Sequence, residues 1–223
     1  MAEQQLNIYA SYAYTKAYWD LSDDERRTFR TKLAHEAQSL AAGTHFYSVF
    51  PCRADADFML WSALVAEEPE VAAKTLIDYN RIAEGWRRFI KPVQVLWGFT
   101  RPSMYSRGKS EQDIDAIEGE RSKFFIVYPF TKTKEWYLMS VDARQGMMNE
   151  HIKIGKQYFD VKQLLLYSFG LQDQEFVVSY EVENPVRFSE LVNALRGVEG
   201  RKYTHSDTPL ITGVYLKTEE FVR

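Results

Sequence analysis

With 223 residues, 45% of them hydrophobic, the chain can bury one large core or two smaller ones that share an interface. Its formal net charge of -3, with both signs interspersed, excludes a strong general attraction to nucleic acid or to anionic membranes. No run is long and apolar enough to span a membrane, and the start lacks the basic and apolar stretches of a secretory leader, so a cytoplasmic protein is expected.

The single cysteine, Cys52, has no partner for a disulfide or a thiolate metal site and is expected to be a small buried or half-buried residue. Aromatic residues make up 15% of the chain, enough to line a pocket for a flat ligand or to fill contacts between sheet and helices.

In chain order, the first local signal is Ser22 with Glu25, a capping box that opens a helix, with Gly43 expected just past a helix end. Residues 101–122 are polar, contain Gly and Pro, and are too long for a turn, which suits a connection that covers a pocket. Beyond it the periodicity alternates between two and about 3.6. It predicts a strand over 123–130, a helix over 140–158, strands over 161–169 and 175–182, a helix over 185–197 and a strand over 209–216. Ser140 with Asp142 marks the start of the first of these helices, and Gly197 follows the end of the second. The order βαββαβ makes a ferredoxin-like sheet with both helices on one face, whose other face needs cover.

The chain repeats itself and can supply that cover. A shift of 118 residues places Ile8 on Ile126, Thr15 and Lys16 on Thr133 and Lys134, Ser22 on Ser140, Asp24 on Asp142 and Arg26 on Arg144. The same shift sets Tyr18-Trp19 on Trp136-Tyr137, Asp55 on Asp173 and Phe58 on Phe176. An unchanged offset over that distance argues for duplication. The reading is an α+β protein of two tandem ferredoxin-like halves, 1–100 and 123–223, joined by the connection 101–122.

Of the four histidines, His35, His45, His151 and His205, one sits well for a metal. On a helix, His151 shares a face with Met147 and Met148 before it and with Ile154 and Gly155 after it. An imidazole among soft apolar side chains, next to a glycine that lets a flat ring approach, suits axial ligation of haem iron. A satisfied core histidine is the plainer alternative. On the neighbouring strand, Tyr128 and Lys132 share a face about 13 Å apart, at roughly 3.3 Å per residue, so phenol and ammonium can meet two edges of one macrocycle. A strand tyrosine and a solvated lysine fit that spacing equally well.

The run Tyr128-Pro129-Phe130-Thr131-Lys132-Thr133-Lys134-Glu135-Trp136-Tyr137, followed by Asn149-Glu150-His151, resembles the signature of the family that includes coproheme decarboxylases and chlorite dismutases. Arg53-Ala54-Asp55-Ala56-Asp57-Phe58 with Trp61 extends the resemblance into the first half. It implies a fold of the dimeric α+β barrel type, with His151 as axial ligand and Tyr128 as a radical-forming tyrosine beside a propionate. It further implies Lys132 and Arg196 as propionate-holding cations, Gln163 in the distal pocket, and a ring-shaped homo-oligomer, commonly a pentamer. The implied reaction is the peroxide-dependent decarboxylation of iron coproporphyrin III to haem b.

Some features depart from the family pattern. The strand after the His151 helix, Val161-Lys162-Gln163-Leu164-Leu165-Leu166-Tyr167, has no arginine, which chlorite dismutases carry there, so chlorite decomposition is disfavoured. Residues 101–122 hold no histidine to act as a distal base, and Arg107 and Lys109 offer charge only. Near Glu199-Gly200, where dismutases place a carboxylate against the axial histidine, either residue can be the match. A chlorite dismutase-like or weakly peroxidatic enzyme with permanent haem b, and a haem carrier or sensor without turnover, remain the alternatives.

Overall fold

A computed structural model describes residues 3–105, 108 and 110–223. The first half runs β1 (Gln5–Tyr14), α1 (Lys16–Trp19), α2 (Asp23–Gln38), β2 (Gly43–Ser48), β3 (Phe58–Val65), α3 (Pro69–Trp86) and β4 (Ile90–Phe99). The second runs β5 (Phe124–Lys132), α4 (Lys134–Leu138), α5 (Val141–Gly155), β6 (Lys162–Tyr167), β7 (Phe176–Val182) and α6 (Pro185–Leu195). It ends with the 3-10 helix η1 (Glu199–Tyr203), β8 (Thr204–Ser206), β9 (Ile211–Leu216) and α7 (Thr218–Phe221). The capping box at Ser22 is present, and Ser140 caps α5 by accepting from the Ala143 amide at 3.2 Å.

Each half lays down four antiparallel strands, in the orders β4-β1-β3-β2 and β6-β7-β5-β9. The two sheets join at both edges, β2 with β9 and β4 with β6, and so close a barrel. Closure removes the exposed sheet edges that a single half would present. The β4–β6 join is tight: a Cβ on Gly98 would lie 2.7 Å from the Tyr167 carbonyl oxygen, so only glycine lets these strands meet.

Strand alternation sorts the side chains. In β1, Tyr9 points into the barrel with Tyr47, Trp61 and Phe125, whereas Ala10 and Tyr12 point outward to α2 residues such as Leu33. Much of the aromatic content therefore fills the barrel: Trp61 and Phe125 stack at 5.0 Å and Tyr47 and Phe125 at 4.7 Å. A buried ion pair, Arg121 to Glu181 at 3.1 Å, lies in the same interior, with Arg121 also 5.0 Å above Trp61.

Three local expectations change. Gly43 does not follow a helix end directly; it opens β2, and a Cβ there would lie 2.3 Å from the Ala116 carbonyl oxygen. Its neighbour Ala116 is buried with Ile114 in the barrel core, so this part of the 101–122 connection helps to fill the barrel. Cys52 is exposed, because it sits in the turn between β2 and β3 where its amide donates to the Val49 carbonyl at 2.7 Å. The helix expected over 140–158 stops at Gly155, and the chain then turns through Tyr158 before β6.

Candidate functional site

The helix α5 differs from its repeat partner in how it meets the sheet. In α2, Phe29, Leu33, Ala34 and Ala37 are buried, whereas no residue of α5 is buried outright. Its contact with the sheet runs through Ile154, and through Tyr158 just beyond the helix, onto Ile126, Val161, Val178 and Tyr180. Towards the other end, Met147 lies beside Gly200 of η1, where an added Cβ would come within 3.8 Å of the Met147 Cβ. Gly155 has open space at its Cβ position.

His151 lies between these two supports, half-buried, with no hydrogen bond to the described residues. Burial first, and the Lys132 ammonium second, hold its pKa below the ordinary imidazole value. The ring is therefore neutral near pH 7 with a lone pair uncommitted, the form in which imidazole binds metals.

The opposing sheet face carries Tyr128, Phe130, Leu165, Val178 and Tyr180. Tyr128 stacks on Tyr180 at 6.0 Å, and burial, the largest influence, raises the pKa of its phenol. The charges that act on it are those of Asp207, Arg196 and Arg201. Arg196 caps the C-terminus of α6 and pairs with Asp207 at 3.1 Å; Arg201 of η1 pairs with the same carboxylate at 2.8 Å.

Lys132, at the end of β5, donates to the Gly200 carbonyl at 3.3 Å and to the Thr204 hydroxyl at 3.4 Å, with its ammonium 4.5 Å from the Trp136 ring centre. Burial brings its pKa down to about 8; the Arg201 charge acts in the same direction and Glu175 opposes it.

The structure thus gathers Tyr128, Lys132 and Arg196 at one rim, with His151 near Lys132. Arg201 joins them and was not legible in the sequence, because nothing local distinguishes it from its neighbour Lys202, which pairs outward with Glu199 at 2.8 Å. Gln163 lies opposite Tyr180 in the β6–β7 register, on the same sheet face but exposed. Its backbone bonds to the connecting segment, donating to the Gln112 carbonyl at 2.7 Å and accepting from the Ile114 amide at 3.0 Å.

Between Glu199 and Gly200, it is Gly200 that packs by Met147, one turn before His151. Among the described residues, no carboxylate contacts the imidazole. Arg107 and Lys109 lie outside the described residues. Of the other histidines, His35 and His205 are exposed, and His45 bonds to the Ala116 carbonyl inside the barrel at 2.8 Å, its pKa lowered to about 4 chiefly by burial.

A neutral imidazole on a methionine-bearing helix face, opposite an aromatic sheet and beside three cations, fits a flat iron macrocycle with carboxylate arms. The cations match the arms, and the phenol of Tyr128 lies among them. No helix among the described residues is long and apolar enough to cross a membrane.

Comparison with known proteins places the chain in a family. The chain is 31% identical to the coproheme decarboxylase of Mycolicibacterium smegmatis over 176 residues, which cover 79% of this chain and 74% of that protein. It is 28% identical to the coproheme decarboxylase of Staphylococcus saprophyticus, over 78% of this chain and 73% of the relative. The structure of chlorite dismutase from Candidatus Nitrospira defluvii in complex with imidazole superposes with a TM-score of 0.83, covering 100% of this chain and 95% of that one at 22% identity. The family model described as chlorite dismutase matches residues 22–216, and this span includes all of the rim residues, His151 and Gln163. The chain belongs to the chlorite dismutase family.

Proposed function

We propose that this protein is a coproheme decarboxylase, which uses peroxide to convert two propionate arms of iron coproporphyrin III to vinyl groups and so yields haem b. The observation that carries the reading is the half-buried phenol of Tyr128 beside the Asp207–Arg196–Arg201 cluster, whose two cations suit a carboxylate arm. The names of the curated relatives support the same activity.

His151 would hold the iron from α5, its ring kept neutral by burial. Lys132, Arg196 and Arg201 would receive the propionates, and the carboxylate of Asp207, which pairs with both arginines, keeps them aligned before the substrate arrives. Gln163 would face the side opposite His151. When bound, the iron porphyrin supplies the oxidising equivalents drawn from peroxide.

Tyr128 then gives up an electron and its phenolic proton, and its phenoxyl oxygen takes a hydrogen atom from the β-carbon of the adjacent propionate. Loss of a second electron and of the carboxyl group as carbon dioxide leaves the vinyl group. For each arm, one propionate, one peroxide and one proton give one vinyl, one carbon dioxide and two waters. The lack of an arginine in β6 disfavours chlorite as substrate.

In this reading 1–100 is a supporting half, 101–122 a connection and 123–223 the half that carries the porphyrin, with the whole working as a cytoplasmic homo-oligomer, a pentamer. The test is Tyr128→Phe. It should bind iron coproporphyrin as the parent does, while the porphyrin mass after peroxide addition stays unchanged. Formation of haem b at the parental rate by that variant would refute the proposal. Bleaching of the ring without loss of carboxyl groups in the parent would favour the peroxidase or carrier alternatives.

A further inference from the structure

The connecting segment touches α5 at both ends. Near its start, the Gln145 side-chain amide donates to the Tyr105 carbonyl at 3.2 Å. At its end, the side-chain amide of Gln112 donates to the carbonyls of Gly155, Tyr158 and Val161, at 3.4, 3.0 and 3.1 Å. These three oxygens line the turn between α5 and β6; those of Gly155 and Tyr158 also accept from the Tyr158 and Val161 amides at 3.0 Å each, so the Gln112 amide is a second donor to both. The backbone of Gln112 meanwhile accepts from the Gln163 amide at 2.7 Å. One residue therefore ties the helix that carries His151 to the strand that carries Gln163.

This tie matters because α5 meets the sheet only near its last turn, its other supports being η1 and α6. Met147, Met148 and His151 are half-buried, and the packing onto the sheet is confined to Ile154 and Tyr158, beside the Gln112 amide. A small change in pitch at Gly155, where the helix leaves the sheet, is carried one turn along to the imidazole.

We propose that Gln112 is a positioning residue for the iron ligand: its amide, bonded to the three carbonyls that leave α5, and its backbone, bonded to β6, set the pitch of the helix over the sheet and hence the place of His151. The inference rests on porphyrin binding by His151, as proposed above. It assigns to the connecting segment a role in the geometry of that site that its polar sequence does not announce.

Two substitutions in the full chain separate the donor role from mere bulk. Gln112→Leu keeps the size and removes the donor; Gln112→Lys restores donors, and a cation at a helix C-terminus is favourable. In the unloaded protein, amide hydrogen exchange at Lys156, Gln157 and Tyr158, whose amides close this turn at 3.0 Å each, should quicken about tenfold in the leucine variant, since the turn loses the side-chain donor that its part-buried carbonyls share. Exchange in the lysine variant should stay close to the parent.

With ferric haem b loaded, release to apomyoglobin should be about tenfold faster for Gln112→Leu, and after reduction to the ferrous form its iron–imidazole stretching frequency should be shifted, both staying near parental for Gln112→Lys. Unchanged exchange in the leucine variant, or release and stretching frequency equal to the parent despite faster exchange, overturns the positioning role. A lysine variant that behaves like the leucine one also overturns it. A parent chain that takes up no porphyrin overturns both this inference and the reading beneath it, whereas parental release from Gln112→Leu overturns this one alone.

Discussion

Lys132 offers a quantitative test of whether the rim receives carboxylates. In the free protein burial and the Arg201 charge bring its pKa down to about 8. A bound propionate restores the ammonium's partner and returns the pKa towards the ordinary lysine value of about 10.4. The site pKa is therefore higher in the complex than in the free protein, and binding takes up a proton between these two values. Below pH 8 the lysine is charged in both states, and its contribution to affinity does not vary with pH.

From pH 8 upward, affinity falls as the free ammonium deprotonates. At pH 9 only about one-tenth of the free protein holds the proton, so the dissociation constant should rise about tenfold over its value near pH 7, equivalent to about 1.4 kcal/mol. The assay is absorbance titration of the protein with iron coproporphyrin across pH 7 to pH 9.5, in parallel with Lys132→Met. Titrations of the porphyrin itself are common to both proteins and cancel in the comparison. The methionine variant should bind more weakly at pH 7 and lack the excess slope above pH 8. Equal slopes in the two proteins would refute the assignment of Lys132 to a carboxylate arm.

Further outcomes follow from individual contacts. His151→Ala should lose the absorbance signature of imidazole-bound iron, and free imidazole added to the variant should restore it. Gly43→Ala drives a Cβ to 2.3 Å from the Ala116 carbonyl oxygen and 3.1 Å from the Ile117 Cα, both backbone atoms that cannot swing aside. Its urea midpoint should fall by an amount equivalent to about 3 kcal/mol, the upper range for overpacking. Arg121→Met leaves Glu181 alone in the barrel, where removal of one ion-pair partner costs about 3–5 kcal/mol. Because burial has raised the Glu181 pKa to about 7 even beside Arg121, its contribution is full below the unfolded carboxyl value and is lost as pH rises to about 7, and at pH 6 the mostly protonated carboxyl needs Arg121 less than at pH 8. The loss should therefore be full at pH 8 and smaller at pH 6, and denaturation curves giving the same loss at both pH values would refute this account.

Much of the architecture was legible because it is set by local signals that occur twice. The offset of 118 residues reappears in the elements themselves: α1 and α4 start at residues 16 and 134, α2 and α5 at 23 and 141, β3 and β7 at 58 and 176. Thr15 and Thr133, then Ser22 and Ser140, stand at the equivalent helix starts. Caps and strand alternation act within a few residues, so they need no knowledge of distant chain. His151 was singled out in the same way, from the soft apolar residues one turn to either side of it, and Tyr128 and Lys132 from the period of their strand.

The sequence by itself therefore determined the repeated order of elements and the helix faces, and it pointed to three candidate site residues. Tertiary structure alone decided what lies between distant segments. It closed two sheets into one barrel, drew Ile114 and Ala116 from a polar connection into the core, and required glycine at position 43 because a carbonyl from residue 116 passes there. It also chose Arg201 over Lys202 for the rim and set Gln112 at the end of α5. None of these has a signature in neighbouring residues. Each depends on which backbone or charge arrives from far along the chain, and that is settled only when the barrel closes.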